Sequence, residues 1–186
     1  MPFFIHVPGT KGGRTNAIGE LVDLFPTLID LTNVSIPDRD ELEGRSLAPL
    51  FEDAASPQFF GDDIAAFSQF PRCNGTVKIF PKANSGTVTP WALPSNNPCT
   101  ETQSENFMSM GYSIRTDLYR YTIWVKWVGA INKPDWDATL YEELYCHQGD
   151  DGRNTDSFEY ENLASDASLR GVKTALLQRV KKHFAS

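Results

Sequence analysis

Apolar and polar positions alternate most clearly over residues 111–128, GYSIRTDLYRYTIWVKWV. Tyr119, Tyr121, Ile123, Val125 and Trp127 fall on one face of that stretch. Arg120, Thr122, Trp124, Lys126 and Val128 fall on the other. A period of two is the signature of a strand, and two such runs flanking Thr116, Asp117 and Leu118 predict a hairpin. A lone hairpin is marginal in water, so other strands or a helix must cover its apolar face.

The rest of the chain offers that cover. Residues 2–8 (PFFIHVP) read as a short buried strand ended by Pro8 and Gly9. A polar, basic loop follows over 10–16. Ile18, Leu21, Val22, Phe25, Leu28 and Ile29 are spaced like one helix face. A proline in mid-helix costs about 3 kcal/mol, so Pro26 belongs in a first turn. The spacing therefore predicts a helix capped by Asp23 and running to about Leu31. Residues 64–70 (IAAFSQF) read as a strand, 72–106 as a long loop, and 143–146 as a short strand inside an acidic stretch. From Asp166 the period becomes helical. Leu169, Val172, Leu176, Leu177, Val180 and Phe184 share a face, with Ser165 as N-cap and Arg179, Lys181, Lys182 and His183 favouring the C-terminal dipole. The expected architecture is α/β, and α+β over most of the chain. A strand and a helix come first, then a roughly four-stranded antiparallel sheet with a C-terminal helix packed on it.

Composition changes this picture little. The chain has 186 residues, 40% hydrophobic and 22% charged, enough for one domain with a sizeable core. A net charge of -7 argues against nucleic acid or an anionic membrane as partner. No apolar run is long enough for a membrane span, and the N-terminus lacks the basic segment and apolar length of a signal peptide.

Three cysteines occur, Cys73, Cys99 and Cys146. The first two bracket a segment rich in Asn, Ser, Pro, Thr and Gly, which has little core of its own. A cross-link there would contribute roughly 3 kcal/mol. Asn33 and Asn74 each begin an N-x-[ST] sequon. A disulfide and used sequons together would imply a secretory or lysosomal compartment. The alternative is a cytosolic protein with three unrelated thiols.

Chemical motifs are sparse. The sequence holds no G-x-x-x-x-G-K-[ST], G-x-S-x-G, H-E-x-x-H or C-x-x-C. Asp62 and Asp63 form an adjacent pair that suits a hard cation but more often marks a solvated strand end. The window from Asp150 to Glu161 has acids at both ends, yet lacks the glycine and the third-position ligand of a calcium loop. Cys146 and His147 are neighbours on a strand, so they point to opposite faces and do not form a nucleophile pair. His6 on an apolar strand reads as a core or rim histidine. Arg115, among apolar neighbours, needs a carboxylate and reads as half of a structural ion pair. The hairpin aromatics would suit sugar stacking, but aromatic strands are usually core.

Several segments, in this order, resemble the C-terminal part of the type I sulfatases, in the alkaline-phosphatase-like superfamily. Residues 3–9 (FFIHVPG) look like that fold's last core strand. Residues 20–32 (ELVDLFPTLIDLT) are similar to the V-D-L-F-P-T-L helix start, and 42–50 (LEGRSLAPL) to the L-x-G-x-S-L-x-P-L segment after it. Residues 68–72 (SQFPR), 110–116 (MGYSIRT) and 119–125 (YRYTIWV) look closest to the iduronate-2-sulfatase branch. ELY at 143–145, and Glu159 with NLA at 162–164, resemble the family's ending. Residues 73–105 fall outside the resemblance, the segment between Cys73 and Cys99 looks like an insertion, and Cys146 stands where the family usually has Asp.

The resemblance implies that residues 1–51 form the end of a catalytic core and 52–186 a small sheet-plus-helix subdomain. It implies sulfate-ester hydrolysis of sulfated sugars such as glycosaminoglycans, with formylglycine and calcium as the family's cofactors. None of Cys73, Cys99 or Cys146 sits in the C-x-P-S-R context that is converted to formylglycine, and the family's calcium ligands lie upstream. No catalytic or metal residue is therefore expected here, and the chain alone is expected to be inactive, as a fragment or truncated paralogue whose partner is an upstream catalytic portion. Arg72, after a strand and before the long loop, is the candidate substrate-facing residue. A different class remains open: a secreted carbohydrate-binding or interaction module without catalysis.

Overall fold

The computed structural model describes residues 4–61, 63–73, 99, 102–150 and 159–184. Two helices and four strands alternate with short 3-10 turns: α1 (Leu24–Thr32), β1 (Ala66–Cys73), β2 (Phe107–Arg115), β3 (Tyr119–Val128), β4 (Lys133–Cys146) and α2 (Arg170–Phe184). The strands make one antiparallel sheet in the order β1-β2-β3-β4. The chain divides into two compact units. The first comprises Met1–Phe67, Ile114–Arg120 and Tyr145–Ser165; the second comprises Ser68–Ser113, Tyr121–Leu144 and Asp166–Ser186.

In the second unit the alternating pattern is realised as expected. Tyr121, Ile123 and Val125 of β3 are buried, as are Met110 and Tyr112 of β2 and Leu144 of β4. Helix α2 supplies Leu176 and Val180 to the same core, and Phe184 packs on Tyr112 with ring centres 4.6 Å apart. Polar anchors fix the helix as well. The Tyr121 hydroxyl donates to Glu142 at 2.5 Å, and Lys173 reaches the other oxygen of that carboxylate at 2.9 Å. Burial pushes the Tyr112 hydroxyl up to about 12 and the Tyr121 hydroxyl higher still, because a phenolate there would lose its water. The cap differs from expectation: Asp166, not Ser165, caps the 3-10 turn Ala167–Leu169 that leads into α2, accepting from the Ser168 amide at 2.8 Å.

Strand β4 is longer than the short strand predicted at 143–146. Its acidic residues and Pro134 disguise it in the sequence. As an edge strand it tolerates a proline near its start, and its acids Glu142 and Glu143 take partners from Tyr121, Lys173 and Trp124.

In the first unit, α1 carries Pro26 at its third position, where no intrahelical donor is lost. Asp23 precedes the helix but does not cap it with its side chain. Its buried carboxylate instead accepts from the Glu20 amide at 2.8 Å and the Arg45 amide at 2.9 Å. Thr27, fully buried, accepts from the Leu47 amide at 2.8 Å and donates to the Asp23 carbonyl at 2.6 Å. Gly44 lies so close to this helix start that a Cβ would stand 2.1 Å from the Val22 carbonyl oxygen. The two sequence segments VDLFPTL and LEGRSL are thus one interlocked piece.

Residues 4–7 form no strand. A strand exists only through a ladder partner, and none of the sheet's four strands is paired with them. Phe4 is 88% exposed and His6 is exposed too, so His6 is not a core histidine. Leu21 (66%) and Phe25 (55%), with Val22 and Leu28, leave one side of the α1 region apolar and open to water.

Candidate functional site

The hairpin register decides which side chains meet on the sheet face away from that core. The Thr116 amide donates to the Tyr119 carbonyl, Thr122 donates to Ser113 through their hydroxyls at 2.9 Å, and Gly111 lies against Trp124. One unbroken antiparallel register therefore sets Gly111 opposite Trp124. A Cβ on Gly111 would stand 2.8 Å from the indole carbons, so the missing side chain is what lets the ring lie down over β2. At the ring's other edge, the Trp124 indole N–H donates to Glu143 of β4 at 3.2 Å.

Arg72 arrives over this ring from β1. Its guanidinium carbon lies 5.0 Å from the Trp124 ring centre and 5.5 Å from that of Phe70, two residues earlier on the same strand face. Both are cation–π distances. Arg72 is exposed, and no carboxylate among the described residues pairs with it. The sequence suggested a substrate-facing arginine, and the guanidinium lies within cation–π distance of two aromatic rings. Phe70 (46% exposed) and Tyr141 of β4 are also open to water. A guanidinium carries its N–H donors in a planar fork, where a carboxylate or sulfate meets two of them.

Cys73, the residue after Arg72, is bonded to Cys99, with Cα atoms 5.4 Å apart. The Cys99 sulfur also approaches the Pro71 carbonyl at 3.4 Å. Cys146 is a free thiol. Asn33 is exposed in the left-handed conformation that ends α1, with its amide bonded back to Asp30. Asn74 and Asp62 lie outside the described residues.

The other cluster of charged groups, in the first unit, is structural. Arg115 meets Asp150 at 3.4 Å and donates to the carbonyls of Thr116 and Asp117. Burial pushes its pKa down, and Asp150 beside it pulls the other way. His147 is buried between Asp150 at 2.9 Å and Glu159 at 3.0 Å, and Glu159 also pairs with Arg120. The His147 amide donates to the Leu118 carbonyl at 2.7 Å. Together these bonds hold the hairpin tip, as the sequence suggested for Arg115. Among the described residues no group of three or more His, Cys, Asp or Glu is placed to hold a metal ion. No helix among the described residues is long and apolar enough to cross a membrane.

No protein-family model matches the chain. Among curated proteins it is 35% identical over 128 residues to mouse iduronate 2-sulfatase, covering 61% of this chain and 20% of that protein. It is 43% identical over 61 residues to an arylsulfatase of Clostridium perfringens, covering 30% of this chain and 12% of that one. Among solved structures, a putative sulfatase from Bacteroides thetaiotaomicron aligns with 88% of this chain and 24% of its own, at 21% identity and a TM-score of 0.47. The chain thus spans about a fifth of the length of the curated iduronate 2-sulfatase it matches. The chain is similar to the sulfatases, to their C-terminal part and to iduronate 2-sulfatase in particular.

Proposed function

We propose that this sulfatase-related chain serves as the C-terminal region of a sulfuric ester hydrolase acting on sulfated, anionic sugars. The observation that carries the reading is the 35% identity over 128 residues to mouse iduronate 2-sulfatase. Formylglycine and calcium belong, in this reading, to an upstream catalytic portion. The first 51 residues complete that portion and the remainder forms a small subdomain beside it.

Two features support the division of labour. The open apolar side formed by Leu21, Val22, Phe25 and Leu28 is the kind of surface a protein buries rather than leaves wet. The catalytic portion is its proposed cover. The second feature is Arg72, a rigidly placed cation at the end of a strand. In the complete enzyme it faces the substrate and selects a sugar that carries an acid group. The Cys73–Cys99 bridge supports a secreted or lysosomal location, since such bonds persist in oxidising compartments.

The test is complementation. The 186-residue chain alone should release no sulfate from an aryl sulfate with or without calcium. Joined to the catalytic portion of an iduronate-2-sulfatase-like enzyme in place of that enzyme's own C-terminal region, it should restore turnover of a sulfated uronate. Calcium-dependent turnover by the chain alone, or a folded but inactive chimaera, would contradict the proposal.

A further inference from the structure

We infer that Trp124 is the positioning residue for Arg72: seated by Gly111 and tied at its N–H by Glu143, the indole holds the guanidinium so that it meets an anionic sugar with two N–H groups at once. This rests on the reading of Arg72 as the substrate-facing residue and adds the device that makes it selective.

Four observations carry it. Among the described residues no carboxylate pairs with Arg72, and the contacts that its guanidinium makes there are with the rings of Trp124 and Phe70. Trp124 is immobilised from two sides, by β2 below and by Glu143 at 3.2 Å. Gly111 leaves room for the ring and for nothing else; a Cβ there would strike three indole carbons within 2.9 Å. Pro71 fixes the backbone just before Arg72, and Cys73 is bonded just after it, so the stem is constrained as well.

The physical consequence concerns entropy and geometry. An exposed arginine loses much rotamer freedom when it grips a ligand, and stacking on a fixed ring removes part of that loss beforehand. A guanidinium held beside a fixed ring presents its N–H fork from a narrower set of directions, which favours an acceptor with two oxygens. A carboxylate or sulfate on a sugar qualifies. Phe70 leaves an apolar ring beside the cation, against which the C–H face of the same sugar can lie. A lysine at position 72 would keep the charge but lose the fork.

The experiment uses the full 186-residue chain and the indole N–H resonances of its tryptophans, titrated with a 2-O-sulfated uronate disaccharide prepared from heparin. The Trp124 signal is identified by its disappearance in Trp124→Phe. The wild-type chain should bind in the millimolar range and move the Trp124 signal. Trp124→Leu, Gly111→Ala and Arg72→Lys should each weaken binding tenfold or more, and the double change Trp124→Leu with Arg72→Lys should be little worse than either alone, because both break one device. Unchanged Trp127 and Trp136 signals and far-ultraviolet dichroism report that a variant is folded. Binding of Trp124→Leu within twofold of wild type, or of Arg72→Lys likewise, overturns the inference, as does no binding by the wild-type chain. Arg72→Ala separates the two levels. If it weakens binding while Trp124→Leu does not, the role of Arg72 stands and the positioning role falls. If it has no effect, the role of Arg72 falls with it.

Discussion

The Asp23 carboxylate accepts the backbone amide of Arg45, 22 residues further along, at 2.9 Å. That bond, with the Glu20 amide on the other carboxylate oxygen, ties the start of α1 to the segment that follows it. Asp23→Asn keeps the shape but turns a donor towards a donor. Loss of one buried bond of this kind costs about 1–3 kcal/mol. Asp23→Asn and Thr27→Val should each lower the urea midpoint accordingly, and Gly44→Ala should do so more strongly because the contact it creates is with backbone. Unfolding curves of the three variants superimposing on wild type would show that the interlock contributes nothing.

Glu142 gives the second unit an acid-sensitive anchor. Burial alone would raise its pKa, but the Tyr121 hydroxyl and the Lys173 ammonium outweigh that and hold it below the ordinary carboxylate value. A carboxylate depressed in the folded state contributes stability above its unfolded pKa, and that contribution is lost as pH falls through the folded value. Stability should therefore decline below the ordinary Glu range, and Glu142→Gln should flatten that decline. At the other extreme, the buried tyrosines contribute stability that is present below their ordinary pKa of 10 and lost as pH rises through the raised Tyr112 value, about 12. Urea titrations from pH 3 to 11 on both proteins check this.

The Cys73–Cys99 bond should be found intact in a non-reduced digest. A thiol reagent in denaturant should then count one free cysteine, Cys146. Replacing both bridged residues by serine should cost roughly 3 kcal/mol, since the bond closes a loop of 26 residues. Labelling of Cys73 in the native protein would rule the bridge out.

Hydrogen exchange should divide the chain sharply. Residues 4–19 belong to no strand or helix and their amides should exchange fast, whereas those of β2, β3 and α2 should be protected. Uniformly slow exchange over 4–19 would mean that this segment is paired in solution.

These particulars also show how far the sequence could be read. The hairpin and α2 were legible because each has one wet and one dry face, so burial imprints the period on the residues. Strand β4 was legible only at its end, because an edge strand can be acidic on both sides of its backbone. The segment at 4–7 reads as a strand because its residues are apolar and branched, but pairing is a property of a partner and not of the segment. At the candidate site, Arg72 was visible as a cation between a proline and a cysteine. Its partner was not, although the hairpin register alone places Gly111 against Trp124. What the sequence does not encode locally is that β1 lies beside β2, which brings Arg72 over that ring.

The measurement that bears most directly on the account is a comparison of two substrates in a complete sulfatase carrying this chain as its C-terminal region. Arg72→Ala should lower kcat/KM for a uronate sulfate by tenfold or more, equivalent to about 1.4 kcal/mol of lost discrimination. A neutral aryl sulfate should be turned over as before. An equal loss on both substrates, or no loss on either, would contradict the claim that this chain helps the enzyme choose an anionic sugar.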